Sequence, residues 1–190
     1  MTYEAKNYDR LIGMEGFSEA LLRNHFTLYQ GYVANTNKVH EAIEVLANEG
    51  KQGTPEFAEL TRRFGWEWNG MRLHELYFDN LGNAAGPSDG LKLVLARDFG
   101  SFDSFKQRFL AVGAMRGIGW TILYQDGASG RLFISWVNEH DVGHLAGSKP
   151  LLVMDCFEHA FMLDYGLKRA AYLDAFWRNL NFKVVEERLG

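Results

Sequence analysis

Three polar residues, Asp155, Glu158 and His159, fall within a five-residue span of LLVMDCFEHAFMLDYG (151–166), directly after an apolar run. That run reads as a short buried strand closed by Asp155. His159 follows four residues later on helical material, an arrangement that aims both side chains into one space. Two further histidines lie mid-helix near apolar faces: His25 among Leu21, Leu22 and Leu28, and His74 in MRLHELYF. A histidine so placed needs a polar partner. Three neutral imidazoles and one carboxylate leave an open coordination position on a first-row metal. Zinc accepts the same donors but cannot change valence, so the four residues alone do not establish redox chemistry. His40, set among Lys38, Glu41 and Glu44, reads as a solvated helix-face residue.

The elements that must position these groups are legible in the pattern. Phe17, Leu21, Leu28, Tyr32, Val39, Ile43 and Leu46 recur at helical spacing, with Ser18 as N-cap and Gly50 as stop. After KQGTP a second helix is expected from Glu56 to about Leu81, forming an antiparallel hairpin with the first. Residues 82–90, GNAAGPSDG, read as a linker. LKLVLARDFG and SFDSFKQRFLAVGAMRG read as two more helices, the second capped by Ser101 or Asp103. GWTILYQDGASGRLFISWVN is a β-hairpin with a turn rich in Gly and Asp, and PLLVMD is a third short strand before helical material to the C-terminus. The expected fold class is α+β. An α-helical hairpin domain (1–85) precedes an α+β domain (86–190) with a three-stranded antiparallel sheet, and the metal site lies between the two.

Composition narrows the function. With 190 residues, 47% of them apolar, the chain has enough material for a core without staples. Lys plus Arg number 20 against 24 for Asp plus Glu, and no basic cluster interleaves with aromatics, so nucleic acid is not an expected partner. No stretch reaches the ~18 uninterrupted apolar residues of a membrane span, and the first residues do not read as an export signal. The single cysteine, Cys156, excludes an internal disulfide and suits a reducing compartment, so a cytoplasmic location is expected. Aromatics at 14% point to a dry pocket, an oligomer interface, or both.

DCFEHAFMLDYGLKRAAYLDAFW resembles the D-x-W-E-H-A-Y-x-x-D-Y-x-x-x-R signature of the iron and manganese superoxide dismutases. GIGWTILYQ is similar to that family's G-S-G-W segment and LHELYFDNL to its N-H-x-x-F-W segment, the likeness spanning roughly residues 15–182. The resemblance implies a helical hairpin followed by an α+β domain, in agreement with the order of elements above. It implies an enzyme that converts superoxide to dioxygen and hydrogen peroxide, with one iron or manganese ion per subunit, iron slightly favoured. His25, His74, Asp155 and His159 fall on the metal-ligand positions. Glu158 falls on the glutamate that reaches the partner's ligand histidine, implying a homodimer or homotetramer. Tyr32 matches the active-site tyrosine; seven residues after His25, it comes within about 20° of the same helix face. Trp120 and Phe157 correspond to aromatics that wall the pocket.

The family usually holds a glutamine against the solvent at the metal. Here the helix position is Gly70, no glutamine follows the second strand, and His140 stands in that loop as in one branch of the family. His140 is therefore the expected tuning residue, with His144 as rival. Seven residues separate His25 from Tyr32 where the family has eight, implying a deletion or a regularised helical bulge. The family's gate histidine is absent, Leu28 or Tyr29 standing near its place, and its cross-subunit tyrosine partner is Met162. Cys156 reads as a small buried hydrophobe. Two other readings remain on sequence alone: a non-enzymatic protein on the same fold, and another mononuclear-metal oxidoreductase.

Overall fold

A computed structural model describes residues 2–189. Helix α1 runs Glu19–Asn48 as a continuous α-helix, and Ser18 caps it by accepting from the Leu21 amide. The chain leaves it through Gly50 in the left-handed region (φ 73°), a conformation that glycine adopts without steric cost. Helix α2, Pro55–Asp79, begins with Thr54 as cap and Pro55 in its first turn. The two pack as an antiparallel hairpin. Helices α3 (Asp89–Phe99) and α4 (Phe102–Gly113) follow, and the cap of α4 is Ser101, which accepts from Ser104, whereas Asp103 lies in the first turn.

Three antiparallel strands come next: β1 (Gly119–Asp126), β2 (Leu132–Asn138) and β3 (Ser148–Asp155), in the order β2-β1-β3. Trp120 stands opposite both Val137 and Asp155. The β1–β3 register shifts between Leu123 and Tyr124. Residues 119–124 of β1 are buried on both faces of the sheet, which explains an apolar run without alternation. After β3, a 3-10 turn (Glu158–Ala160) precedes helices α5 (Met162–Tyr165), α6 (Arg169–Arg178) and α7 (Phe182–Arg188).

Residues 82–90 do more than link. Leu81 and Ala85 bridge to Leu180 and Asn181, and the last two positions belong to α3, capped by Ser88. One apolar core extends from Leu21 on α1 to Val185 on α7. The end of α2 is fastened from both termini. Arg10 donates to the carbonyls of Phe78 and Leu81, and Arg188 donates to that of Leu76 and to the Asn80 side chain. Among the described residues no helix is long and apolar enough to cross a membrane.

Candidate metal centre

Four elements converge on Asp155. His25 comes from the second turn of α1, His74 from α2, Asp155 from the last position of β3, and His159 from the 3-10 turn that follows. One ligand atom from each of the four lies within 4.8 Å of every other. His25 Nε2 is 3.1 Å from Asp155 Oδ2, His159 Nε2 is 3.0 Å from it, and His74 Nε2 is 3.7 Å away. The ring centroids of the three histidines form a triangle with sides of 4.9, 5.1 and 5.6 Å.

The tautomer of His74 follows from its surroundings. Nδ1–H donates to the Gly70 carbonyl one turn earlier, at 2.5 Å, leaving Nε2 with a lone pair turned toward the cluster. That buried Nε2 has no hydrogen-bond partner. A fully buried nitrogen left alone costs free energy unless something coordinates it. Burial pushes His25 and His74 below the usual imidazole range, so both are neutral, the ligating form. Burial alone would raise the Asp155 carboxyl, but His159 and His25 outweigh it and hold the group well below the usual carboxylate range. An anion facing three imidazole nitrogens, one of them unpartnered, suits a divalent or trivalent first-row metal.

Around the cluster lies a ring of aromatics. The Tyr32 ring stacks on His74 at 5.1 Å, and Trp120 meets His74 edge-on at 5.0 Å. Phe157 stacks on His159 at 5.1 Å and on His140 at 4.9 Å. His140 is buried, with both ring nitrogens engaged. Nδ1 accepts from Trp120 Nε1 at 3.0 Å, so the proton of the neutral ring sits on Nε2 and is donated to Tyr32 Oη at 2.7 Å. Burial lowers the His140 pKa to about 4 and raises that of Tyr32. His144 faces elsewhere: its Nδ1 is 2.7 Å from the Tyr124 hydroxyl, and its Nε2 donates to the His140 carbonyl at 2.8 Å. It braces the loop and does not enter the ring around the cluster.

Glu158 is exposed, and the neighbouring His159 keeps 27% of its side chain open to solvent. Tyr29 is buried and donates to Glu75 at 3.0 Å, whereas Leu28 is half-buried and packs against the core. Met162 is exposed, and burial pushes the Cys156 thiol up to about 12, which keeps it inert. The helical bulge is absent: α1 is regular from His25 to Tyr32, and the two residues share a face.

Two features escaped sequence reasoning. A Cβ at Gly70 would stand 2.5 Å from Tyr32 Cδ1, so the glycine is what lets the tyrosine lie against α2. Trp66, one turn before Gly70 on that helix, reaches both His140 (4.6 Å) and Tyr32 (5.4 Å) with its ring. The spacing of four from Trp66 to Gly70 and again to His74 was the available signal, since residues four apart are neighbours on a helix surface.

Residues 87–188 match the family described as iron/manganese superoxide dismutases, C-terminal domain. "Superoxide dismutase [Fe]" of Aquifex pyrophilus is 38% identical, the alignment covering 97% of this chain and 90% of that protein. The protein of the same name from Sulfolobus acidocaldarius is 35% identical over 85% of this chain and 79% of its own length. "Superoxide dismutase [Mn] 2" of Haloferax volcanii is 34% identical over 88% and 81% respectively.

Proposed function

Because the chain belongs to the iron/manganese superoxide dismutase family, we propose that His25, His74, Asp155 and His159 hold its metal and that Tyr32 and His140 manage its protons. The protein is a superoxide dismutase, converting superoxide to dioxygen and hydrogen peroxide. The buried, unpartnered Nε2 of His74, aimed at the shared carboxylate, is the observation that carries the ligand assignment. When bound, iron or manganese supplies the one-electron couple that oxidises one superoxide and reduces the next.

The rest belongs to the side chains. Reduction of superoxide to peroxide consumes two protons, which must enter a dry pocket. Tyr32 Oη accepts the His140 Nε2–H and is left with its own O–H to offer toward the pocket. Its raised pKa keeps that proton in place at neutral pH. Trp120 fixes the donor tautomer of His140, and with Phe157 it excludes bulk water, which strengthens the local field. His140 thus stands in the place that a glutamine has in most of the family, but with its nitrogens spent on Trp120 and Tyr32 it acts on the pocket through Tyr32. The room occupied by Tyr32 at Gly70 supports this, because a side chain there would collide with the ring.

One ion per subunit, with iron favoured, is consistent with relatives named for iron, while the Haloferax relative named for manganese keeps that metal open. Glu158 is assigned to the partner subunit's His159 in a homodimer or homotetramer. Its exposure beside the partly open His159, and the exposed Met162, Leu163 and Leu167 that follow, support a covered face. The two-domain division at 1–85 and 86–190 fits ligands drawn in pairs from either side. A cytoplasmic location rests on the one unpaired cysteine. Metal analysis of the purified protein, with superoxide assays after reloading apoprotein with iron or manganese, tests the assignment. Full activity without either metal would overturn it.

A further inference from the structure

We propose that Trp66 and Glu139 form a clamp between α2 and the β2–β3 loop that positions His140 for its bond to Tyr32; the inference rests on the assignment of His140 above. Glu139, the residue immediately before His140, has φ +53°, in the left-handed region that side chains other than glycine's disfavour. Backbone in that state persists only where its surroundings hold it. The Glu139 carboxylate, though exposed, accepts the Trp66 indole N–H at 3.1 Å.

Trp66 is itself held. The Arg63 guanidinium lies 3.9 Å from the centre of its ring, and Arg63 donates to buried Glu67 at 2.8 Å. The loop is short and closed, with Asn138 and Val142 bonded in both directions at 2.7 and 3.3 Å, so residues 139–141 move as a unit. His140 rides on that unit while Tyr32 rides on α1. Their 2.7 Å bond therefore spans two separately anchored bodies, and a displacement of about half an ångström would weaken it steeply. Trp66 contacts both partners and ties the loop to the helical hairpin, which makes Trp66 and Glu139 positioning residues for proton delivery.

The test uses full-length, iron-loaded enzyme carrying Trp66→Phe, Glu139→Ala, Glu139→Gln, the Trp66→Phe/Glu139→Ala pair, and His140→Ala. Trp66→Phe keeps an aromatic ring but removes the donor and part of the ring's bulk, whereas Glu139→Ala removes the acceptor and leaves the ring in place. We expect Trp66→Phe and Glu139→Ala each to lower kcat roughly 10-fold with KM and iron content unchanged. Both should move the pH midpoint of the visible absorption of the oxidised enzyme in the same direction as His140→Ala. The pair should be no worse than either single change, since both break one link. Glu139→Gln, which still accepts the indole N–H, should return kcat to within about twofold of wild type. Wild-type kcat and midpoint in Trp66→Phe, additive losses in the pair, or activity lost only in step with iron would each overturn the clamp. If His140→Ala also leaves kcat and midpoint untouched, the assignment of His140 falls and takes the clamp with it. If His140→Ala responds and the clamp variants do not, the clamp falls alone.

Discussion

A neutral imidazole has one donor and one lone pair, and His74 and His140 are held in that form by burial and a directional neighbour. For His74 the neighbour is the Gly70 carbonyl, and for His140 it is the Trp120 indole. We expect His25→Ala, His74→Ala, Asp155→Ala and His159→Ala each to lose most bound metal and nearly all activity. Metal analysis that finds any one of them fully loaded would remove that residue from the centre. A second expectation concerns acid. His140 is lowered from 6.5 to about 4, so the folded protein binds fewer protons there than the unfolded chain between those values. The stability this neutral ring contributes is complete above pH 6.5 and is lost as pH falls toward 4. Denaturant titrations across that window should show a shallower pH slope for His140→Gln than for wild type, by about one proton at most. Equal slopes would mean that His140 is not the buried neutral group described. At this scale the gathering of His25, His74, Asp155 and His159 was legible in the sequence, because a histidine on an apolar face and an acid closing an apolar strand are conspicuous. Trp66 and Glu139 were not, since an aromatic and an acid are ordinary on any helix or loop, and a hydrogen bond across 73 positions leaves no local pattern.

Among the elements, the helical hairpin sets how closely His25, His74 and Tyr32 approach. Seven residues separate His25 from Tyr32 on an uninterrupted helix, and α2 offers Gly70 where the ring must lie. Gly70→Ala should push the Tyr32 ring off α2 and break its bond to His140. A loss of kcat of roughly 10-fold, with the metal retained, is expected from steady-state assays and metal analysis. Wild-type turnover would mean that the ring can shift without consequence. Gly119 is the stricter case. Its φ is +146° and a Cβ there would stand within 2.1 Å of the Val137 carbonyl oxygen, part of the ladder that holds Trp120. Gly119→Ala should cost about 3 kcal/mol or more of unfolding free energy, measured by denaturant melts, because backbone cannot yield as a flexible side chain does. The start of α1 and the glycine that ends it were legible from local chemistry, Ser18 and Gly50 being strong cap and stop residues. The share of 82–90 in bridging to Leu180 and Asn181 was not, because a stretch rich in Gly and Ala carries no sign of a partner a hundred residues away.

For the whole molecule, the pattern of elements and their order could be read in advance, while the way the two termini fasten the end of α2 could not. Arg10 and Arg188 look like ordinary surface cations in sequence, and their work as donors to helix carbonyls exists only after the chain has closed. Assembly beyond one chain is tested at Glu158. If the chain assembles through the face proposed, Glu158→Ala should weaken that assembly in sedimentation and lower metal affinity by about 10-fold to 100-fold. An unchanged assembly that keeps its metal would place Glu158 on free surface.

The convergence of four elements on Asp155 also fixes when the centre can come into being. His25 and His74 belong to a hairpin that can form early from local contacts, but Asp155 emerges 81 residues after His74. At a synthesis rate of about 5–20 residues per second, that is an interval of about 4–16 s during which only half of the donors exist. Two neutral imidazoles without the carboxylate retain a cation weakly, so a metal met in that interval escapes again. The four-donor cluster is therefore complete only after β3 has paired with β1, late in the folding of the chain.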